Sequence, residues 1–160
     1  MELPTGDDTS AGLPRGRTLG SGATDYHVGF AVRDATFGKP HRFLNMEYQF
    51  NQEHNGFEPG DAFNINAAWK PPLRTWEHEG DVAGLDGMIE ANFNWQDNHR
   101  RNGKNITDSG GTRLSATAGV VYTTHRYIYE VAMQAPVLRN PNGKALRNDY
   151  NLLIGLWRNF

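Results

Sequence analysis

The sequence predicts an all-β fold, an antiparallel up-and-down β-barrel with about seven or eight strands in a single domain of residues 1–160. Two observations predict this fold. Apolar and polar residues alternate one by one in seven segments, which sorts them onto the two faces of a strand but scatters them around a helix. Gly, Pro, Asn and Asp cluster between these segments, and no apolar run with the helical period competes with them.

The amino-terminal part predicts a loop and then three strands. Residues 1–22 are rich in Gly, Pro, Asp, Thr and Ser and lack an apolar period, which indicates a loop. Alternation predicts strands near residues 24–33, 43–51 and 61–70, with apolar positions at Tyr26, Val28, Phe30 and Val32, at Leu44, Met46, Tyr48 and Phe50, and at Phe63, Ile65, Ala67 and Trp69. The third strand is predicted to end at Pro71 and Pro72, because neither residue can donate a hydrogen bond to a ladder.

The carboxy-terminal part predicts four more strands. Residues 73–84 are expected to form a long turn, and residues 96–110 a long loop. The strands are predicted near residues 87–95, 112–123, 126–137 and 146–160, with apolar positions at Ile89, Ala91, Phe93 and Trp95, at Leu114, Ala116, Ala118, Val120 and Tyr122, at Tyr127, Tyr129, Val131, Met133 and Ala135, and at Tyr150, Leu152, Ile154 and Leu156. A turn at residues 140–143 separates the last two strands.

The polar face of the predicted strands favours a polar interior. Its residues are mainly Asn, Gln, Glu, Gly, Ser, Thr and Arg, and Lys70 is the one lysine among them, whereas water-facing strands usually carry more lysine. Aromatic residues lie near strand ends, where membrane barrels have their interfacial girdles. The predicted lumen-lining residues are His27, Asn45, Glu47, Gln49, Asn64, Asn66, Glu90, Asn92, Asn94, Arg113, Glu130 and Gln134.

Composition excludes several classes of protein. A net charge of −2 and scattered Lys and Arg argue against a nucleic-acid partner, since phosphate binding needs a clustered basic excess. The chain has no Cys, which removes disulfides and thiolate metal sites. The mean hydropathy of −0.67 is compatible with a membrane barrel, in which polar and apolar residues alternate. The first six residues have neither a basic nor an apolar export region, so we expect any export signal to lie outside this sequence.

The sequence predicts no enzyme, no cofactor and no metal site. Ser115 lies two residues from Arg113 without a histidine in register, which is a poor basis for a nucleophile. The candidate metal ligands Glu77, His78, Glu79 and His99 lack the spacing of known zinc sites, so a solvated loop is the preferred interpretation. Asp7 and Asp8 are interpreted as a turn rather than a calcium site.

The carboxy-terminal segments resemble a known family. The segments 110–122 (GGTRLSATAGVVY), 130–136 (EVAMQAP) and 149–160 (DYNLLIGLWRNF), with the Asn142-Gly143 pair, are similar to the carboxy-terminal part of the outer-membrane family labelled for the MetA pathway of phenol degradation. Segments 3–7 (LPTGD) and 20–26 (GSGATDY) resemble the preceding loop and strand of that family. The resemblance implies a β-barrel in the bacterial outer membrane that transports small organic compounds, including aromatic ones.

The resemblance also implies partners and an assembly signal. The partners would be outer-membrane lipid, the barrel-assembly machinery and a small organic substrate. Gly155 and Phe160 match the terminal signal that the assembly machinery reads, and Arg158 departs from it where the signal has an apolar residue. Bacterial barrels have an even number of strands. Seven predicted strands therefore require an eighth strand, a larger barrel or an oligomer that closes the sheet.

One other interpretation stays open from the residues alone. The same alternation is compatible with a soluble β-barrel that encloses the aromatic face and binds an apolar ligand there. The two interpretations differ in which face of the sheet is enclosed.

Overall fold

The computed structural model describes residues 23–36, 39–78, 81–143 and 149–158. All regular structure in these residues is β, which confirms the all-β prediction. The strands are β1 (Tyr26–Asp34), β2 (His41–Phe50), β3 (Phe57–Glu58), β4 (Ala62–Lys70), β5 (Pro72–His78), β6 (Asp81–Gln96), β7 (Arg100–Arg101), β8 (Lys104–Asn105), β9 (Gly111–Thr123), β10 (Tyr127–Pro141) and β11 (Asn151–Arg158). The predicted loop at residues 1–22 and the predicted assembly residue Phe160 lie outside the described residues.

The long strands form one antiparallel sheet in the order β1-β2-β4-β6-β9-β10-β11, with β5 paired to β6. Each long strand pairs with the next one along the chain, so the sheet is an up-and-down meander, as predicted. Within the described residues, β1 and β11 do not pair with each other, so no closed barrel is found. Because seven alternating strands leave β1 and β11 running in the same direction, these two edges cannot close the sheet as an antiparallel pair.

The prediction of a long turn at residues 73–84 is wrong. Strand β5 pairs with the first part of β6, from Pro72 opposite Asp86 to His78 opposite Asp81, and so prolongs the β4–β6 hairpin. The register shifts between Pro72 and Arg74, which places a bulge at Leu73. The prolines are tolerated because β5 is an edge strand. Strand β2 begins at His41, opposite Lys70, so it does not extend alongside β5. On the other side, the Pro71 carbonyl still accepts a hydrogen bond from Gly87 N at 2.9 Å.

A second small sheet is formed by the connection between β2 and β4 and the connection between β6 and β9, the second of which was expected to be a long loop. Strands β3, β7 and β8 pair in the order β3-β7-β8. The β7–β8 turn consists of Asn102 and Gly103, with φ of 50° and 73°, the positive values that a type I′ hairpin requires. Asn55 and Gly56, with φ of 51° and 73°, form a similar turn before β3. The end of the large sheet that carries these connections is called the loop end. The opposite end, which carries residues 124–126 between β9 and β10, is called the turn end.

The two faces of the large sheet differ in burial. The sheet curls, since Arg33 of edge strand β1 and Trp157 of edge strand β11 line one cavity. The enclosed face, called the inner face, carries Met88 and Ala132, each 2% exposed, and also the buried Thr117. The other face, called the outer face, carries most of the exposed apolar side chains. The sheet therefore encloses its more polar side.

Candidate functional site: a charged cavity on the inner face

The predicted lumen-lining residues share the inner face. Strand register places them in rows that cross the sheet. One row contains Glu47, Asn64, Asn94 and Arg113, the next contains Asn45, Asn66, Asn92 and Ser115, and a third contains Glu90, Thr117, Gln134 and Asn151. His27 and Gln49 are partners between β1 and β2, and Glu130 lies opposite Val121 and Gly155.

Side-chain hydrogen bonds join neighbouring strands across the inner face. Five of them cross from one strand to the next: His27 Nδ1 with Glu47 Oε1 at 3.0 Å, Asn66 Nδ2 to Asn45 Oδ1 at 3.2 Å, Asn94 Nδ2 to Asn64 Oδ1 at 2.7 Å, Gln134 Nε2 to Thr117 Oγ1 at 3.3 Å, and Asn151 Nδ2 to Gln134 Oε1 at 3.1 Å. The buried Asn92 Nδ2 has no hydrogen-bond partner among the described residues. The inner face is thus a surface of amides that mostly satisfy one another.

Hydrogen bonds connect the loop end of the inner face to the small sheet. Asn51 Nδ2 donates to the Gly60 carbonyl at 2.7 Å, and Gln49 Nε2 donates to Asn51 Oδ1 at 2.7 Å. Gly60 N donates to His99 Nδ1 at 2.9 Å, and the His99 ring lies 5.6 Å from the Phe57 ring. His99 is therefore a structural contact in an ordered connection rather than part of a solvated loop.

At the turn end, the inner face contains a cavity of about 670 Å³. The strands that contribute to it are β1, β2, β4, β6, β9, β10 and β11, so the curled sheet surrounds it. The residues that line it are Arg33, His41, Arg42, Phe43, Ala68, Lys70, Asp86, Glu90, Val121, Thr123, Ile128, Glu130 and Trp157.

Charges of the two signs occupy different halves of this cavity. Besides His41, the basic side chains of the inner face are Arg33 on β1 and Lys70 on β4, and the acidic ones are Asp86 and Glu90 on β6 and Glu130 on β10. Arg42 of β2 lies at the margin of the cavity, because its register partner Trp69 is on the outer face. The basic and acidic groups meet between the neighbouring strands β4 and β6. No ion pair joins Arg33, Lys70, Asp86, Glu90 and Glu130 to one another in the part of the chain that the structure describes.

Apolar side chains complete the cavity. Phe43, Val121, Ile128 and Trp157 lie between the charged groups. The Trp157 ring lies over Gly155, where a Cβ atom would collide with it. Because Gly155 has no side chain, the indole can lie along the inner face beside Glu130, the register partner of Gly155. Gly155, predicted as part of an assembly signal, thus also positions a cavity residue.

The sequence predictions located this cavity only in part. Glu90 and Glu130 were predicted and line it, whereas the other predicted lumen residues lie elsewhere on the inner face. Arg33, Lys70 and Asp86 were not predicted as site residues. Arg33 lies on the same face as the predicted residue His27, so alternation along β1 already indicates its position. Asp86 was missed because β6 was expected to begin at residue 87. Which inner-face residues gather in one cavity depends on the curl of the sheet, which alternation does not encode.

Aromatic side chains form two groups on the outer face. The loop-end aromatic cluster consists of Tyr48, Phe50, Phe63 and Phe93, with ring centroids 4.4–6.5 Å apart. The turn-end aromatic cluster consists of Trp76, Tyr122, Tyr127 and Tyr129, with ring centroids 6.0–6.1 Å apart. Arg74 lies over the Trp76 ring at 5.1 Å, a cation–π contact at the margin of the second cluster.

The structure does not bring the other candidate metal ligands together among the residues that it describes. Glu77 lies in strand β5 opposite Val82 instead of in the expected loop, while Glu79, Asp7 and Asp8 lie outside the described residues. In the described part of the chain, no three His, Asp or Glu residues are grouped as metal ligands. None of the described segments is a helix with the length and apolarity that a membrane span needs.

Comparison of the chain with family models, with curated proteins and with solved structures finds no match.

Proposed function

We propose that this chain forms a channel for small organic compounds, aromatic compounds included, in the bacterial outer membrane, with the inner face as its lumen. One observation carries the proposal: the polarity of the sheet is inverted. The outer face exposes Val28 by 61%, Val131 by 49% and Ile154 by 75%, while the inner face presents amides and charges. A water-soluble sheet has the opposite arrangement, because burial of its apolar face is the main source of its stability.

The exposed apolar residues are spread over the whole outer face. Every long strand contributes to it, with Phe30 on β1, Leu44 on β2, Trp69 on β4, Ile89 on β6, Val120 on β9, Met133 on β10 and Leu156 on β11. Monomeric soluble proteins rarely expose apolar patches larger than a few hundred Å². A continuous apolar outer face on seven strands is therefore typical of a surface that contacts lipid.

The spacing of the two aromatic clusters also supports the proposal. Along β6, Phe93 of the loop-end cluster and Leu85, the register partner of Tyr122 in the turn-end cluster, are eight residues apart. At about 3.4 Å per residue, this separation is roughly 27 Å along the strand. A strand tilt of about 40° reduces the height to about 21 Å, close to the ~25 Å apolar band between the aromatic girdles of outer-membrane barrels.

Closure of the sheet belongs to the same proposal. Unpaired backbone groups are costly in lipid, so both edge strands need partners there. Residues 110–160 resemble the family labelled for the MetA pathway of phenol degradation, and this resemblance implies that the barrel-assembly machinery inserts the chain. Additional strands or a second chain would then close the sheet. The soluble alternative requires the aromatic face to be enclosed, whereas the structure exposes that face.

Tryptophan quenching tests the proposal, because two tryptophans of similar exposure lie on opposite faces. Trp69 is on the outer face and 45% exposed, and Trp157 is on the inner face and 50% exposed. The chain has four tryptophans, so two variants that each keep one of these two residues and carry Phe at the other three positions give separate signals. In phosphatidylcholine vesicles we expect brominated lipid to quench Trp69 and aqueous iodide to quench Trp157.

The opposite result has a clear meaning. A chain that stays monodisperse without detergent, and in which brominated lipid quenches neither residue, contradicts the membrane proposal. Equal quenching of Trp69 and Trp157 by lipid contradicts the assignment of the inner face as a lumen.

A further inference from the structure

The charged cavity at the turn end separates its positive and negative side chains. Arg33 and Lys70 lie on one side, Asp86, Glu90 and Glu130 lie on the other, and the boundary between the two groups runs between β4 and β6. On this boundary, Ala68 pairs with Glu90, and Pro72 pairs with Asp86. Lys70 lies midway between Ala68 and Pro72, and therefore between the positions of the two acidic residues. Both signs are thus presented side by side across one pair of strands.

A solute that carries one charge gains little from this arrangement. Attraction to one half of the cavity is offset by repulsion from the other half, which lies within the range of Coulomb interactions at physiological ionic strength. A solute with separated positive and negative groups interacts favourably with both halves at once. Because no ion pairs form among Arg33, Lys70, Asp86, Glu90 and Glu130, their charges stay available to a solute.

The apolar part of the lining adds a second requirement. Phe43, Ile128 and Trp157 offer aromatic and aliphatic surface next to the charged groups. The Trp157 ring is held over Gly155 beside Glu130, so an apolar surface adjoins the acidic half of the cavity. An apolar group on the solute would displace water from this surface.

From this juxtaposition we infer that the cavity is a selectivity site for small zwitterions that carry an apolar group, with the ammonium group bound by Asp86, Glu90 and Glu130 and the anionic group by Arg33 and Lys70. The inference rests on the proposed channel function and names the substrate class of the same lumen. Among small organic compounds, it favours zwitterions over uncharged ones.

The test compares four solutes that share a phenylethyl group in swelling assays of phosphatidylcholine vesicles that contain the full chain. The solutes are phenylalanine as the zwitterion, phenethylamine as the cation, 3-phenylpropionate as the anion and 3-phenylpropanamide as the neutral analogue. We expect phenylalanine to enter roughly threefold faster than either ion, the size of effect that partly exposed ion pairs give. Entry of all four solutes at rates that follow size alone overturns the inference.

Charge-removing variants assign the effect to the cavity. Glu90→Gln with Glu130→Gln should move the preference toward 3-phenylpropionate, and Arg33→Gln with Lys70→Gln should move it toward phenethylamine. Glu58→Gln and Arg101→Gln make the same chemical changes in the small sheet and should leave the preference unchanged. A preference that is the same in all four proteins overturns the assignment to this cavity. Entry of the neutral amide above the rate in protein-free vesicles, and equal to that with the wild-type chain, shows that each variant is folded.

A binding measurement separates failure of this inference from failure of the channel proposal. Trp157 lines the cavity, so its emission in the single-tryptophan variant in detergent reports on solute binding. If no solute enters the vesicles but phenylalanine changes the emission at a lower concentration than the three analogues, the channel proposal fails and the selectivity stands. If all solutes enter the vesicles and all change the Trp157 emission at the same concentration, the channel proposal stands and the selectivity fails.

Discussion

At the scale of single residues, the inner face combines satisfied and unsatisfied amides on one strand. Asn94 Nδ2 donates to Asn64 Oδ1 at 2.7 Å, whereas Asn92 Nδ2, two residues away on the same face of β6, is buried without a partner among the described residues. A buried hydrogen bond contributes about 1 kcal/mol to stability, and a buried polar group without a partner opposes it. Two residues of the same type on the same strand thus have opposite effects on stability.

This contrast predicts different costs for the same substitution. Asn94→Ala should lower the free energy of unfolding by about 1 kcal/mol, because it also leaves Asn64 Oδ1 without its donor. Asn92→Ala should cost less than Asn94→Ala, because it removes a donor that makes no bond. Urea unfolding of the two refolded variants measures both values, and an equal or larger cost at Asn92 would show that its amide has a partner in solution.

At the scale of the elements, the close approach of β9 and β10 depends on Gly119. A Cβ atom at this position would lie 2.5 Å from the Val131 carbonyl oxygen and 2.6 Å from the Ala132 Cβ atom. Ala132 is 2% exposed and packs in the cluster of Met88 and Val121, so it cannot move away without disturbing the inner face next to the cavity.

Gly119→Ala should therefore destabilise the sheet by about 1–3 kcal/mol, the usual cost of overpacking. Gly84→Ala is the matched control, because Gly84 also lies on the β6–β9 ladder but a Cβ atom there meets nothing within 4 Å. The midpoints of urea unfolding of the two variants compare them directly. A midpoint for Gly119→Ala equal to that of Gly84→Ala would mean that β9 and β10 lie further apart in solution.

The elements also show what could be predicted from the sequence. Alternation predicted the long strands because the period of two residues is imposed by backbone geometry alone. The β7–β8 hairpin was missed, although Asn102-Gly103 is the strongest local signal for a type I′ turn, because its strands are too short to alternate. Pro71 and Pro72 suggested the end of a strand. They mark only the place beyond which β2 no longer pairs with this part of the chain, while pairing with β6 continues. The local sequence alone does not reveal which neighbours a strand has.

The candidate site was harder to predict than the strands. Parity assigns Glu90 and Lys70 to the same face, and it says nothing about whether side chains on β1 and β10 line a common cavity. That outcome depends on the curl of the sheet, which results from twist summed over seven strands. The absence of ion pairs among the charged residues of the cavity likewise depends on side-chain positions in three dimensions.

At the scale of the whole molecule, the two edge strands run in the same direction. An all-antiparallel closure therefore needs an odd number of further strands between β1 and β11. Since the chain has no cysteine, engineered pairs can test how the edges are covered. Phe30→Cys with Met46→Cys joins register partners of β1 and β2 and should form a disulfide within one chain.

Phe30→Cys with Ile154→Cys places one cysteine on each edge strand. Within a single folded chain we expect no disulfide between them, because the edges are not neighbours in the sheet. Gel electrophoresis without reductant, after oxidation in vesicles, distinguishes the products. A monomer linked through positions 30 and 154 would show direct parallel closure, contrary to this expectation, and a linked dimer would identify a second chain as the partner of the edges.

The edges of the sheet also determine how the chain behaves in water. Edge strand β5 is protected against pairing with other chains by Pro71, Pro72 and the bulge at Leu73, which break its row of donors. Strands β1 and β11 contain neither proline nor lysine, and both expose apolar side chains. Self-association in water should therefore begin at β1 and β11, so that the time for which the chain stays monomeric in water depends on how soon these two strands are covered.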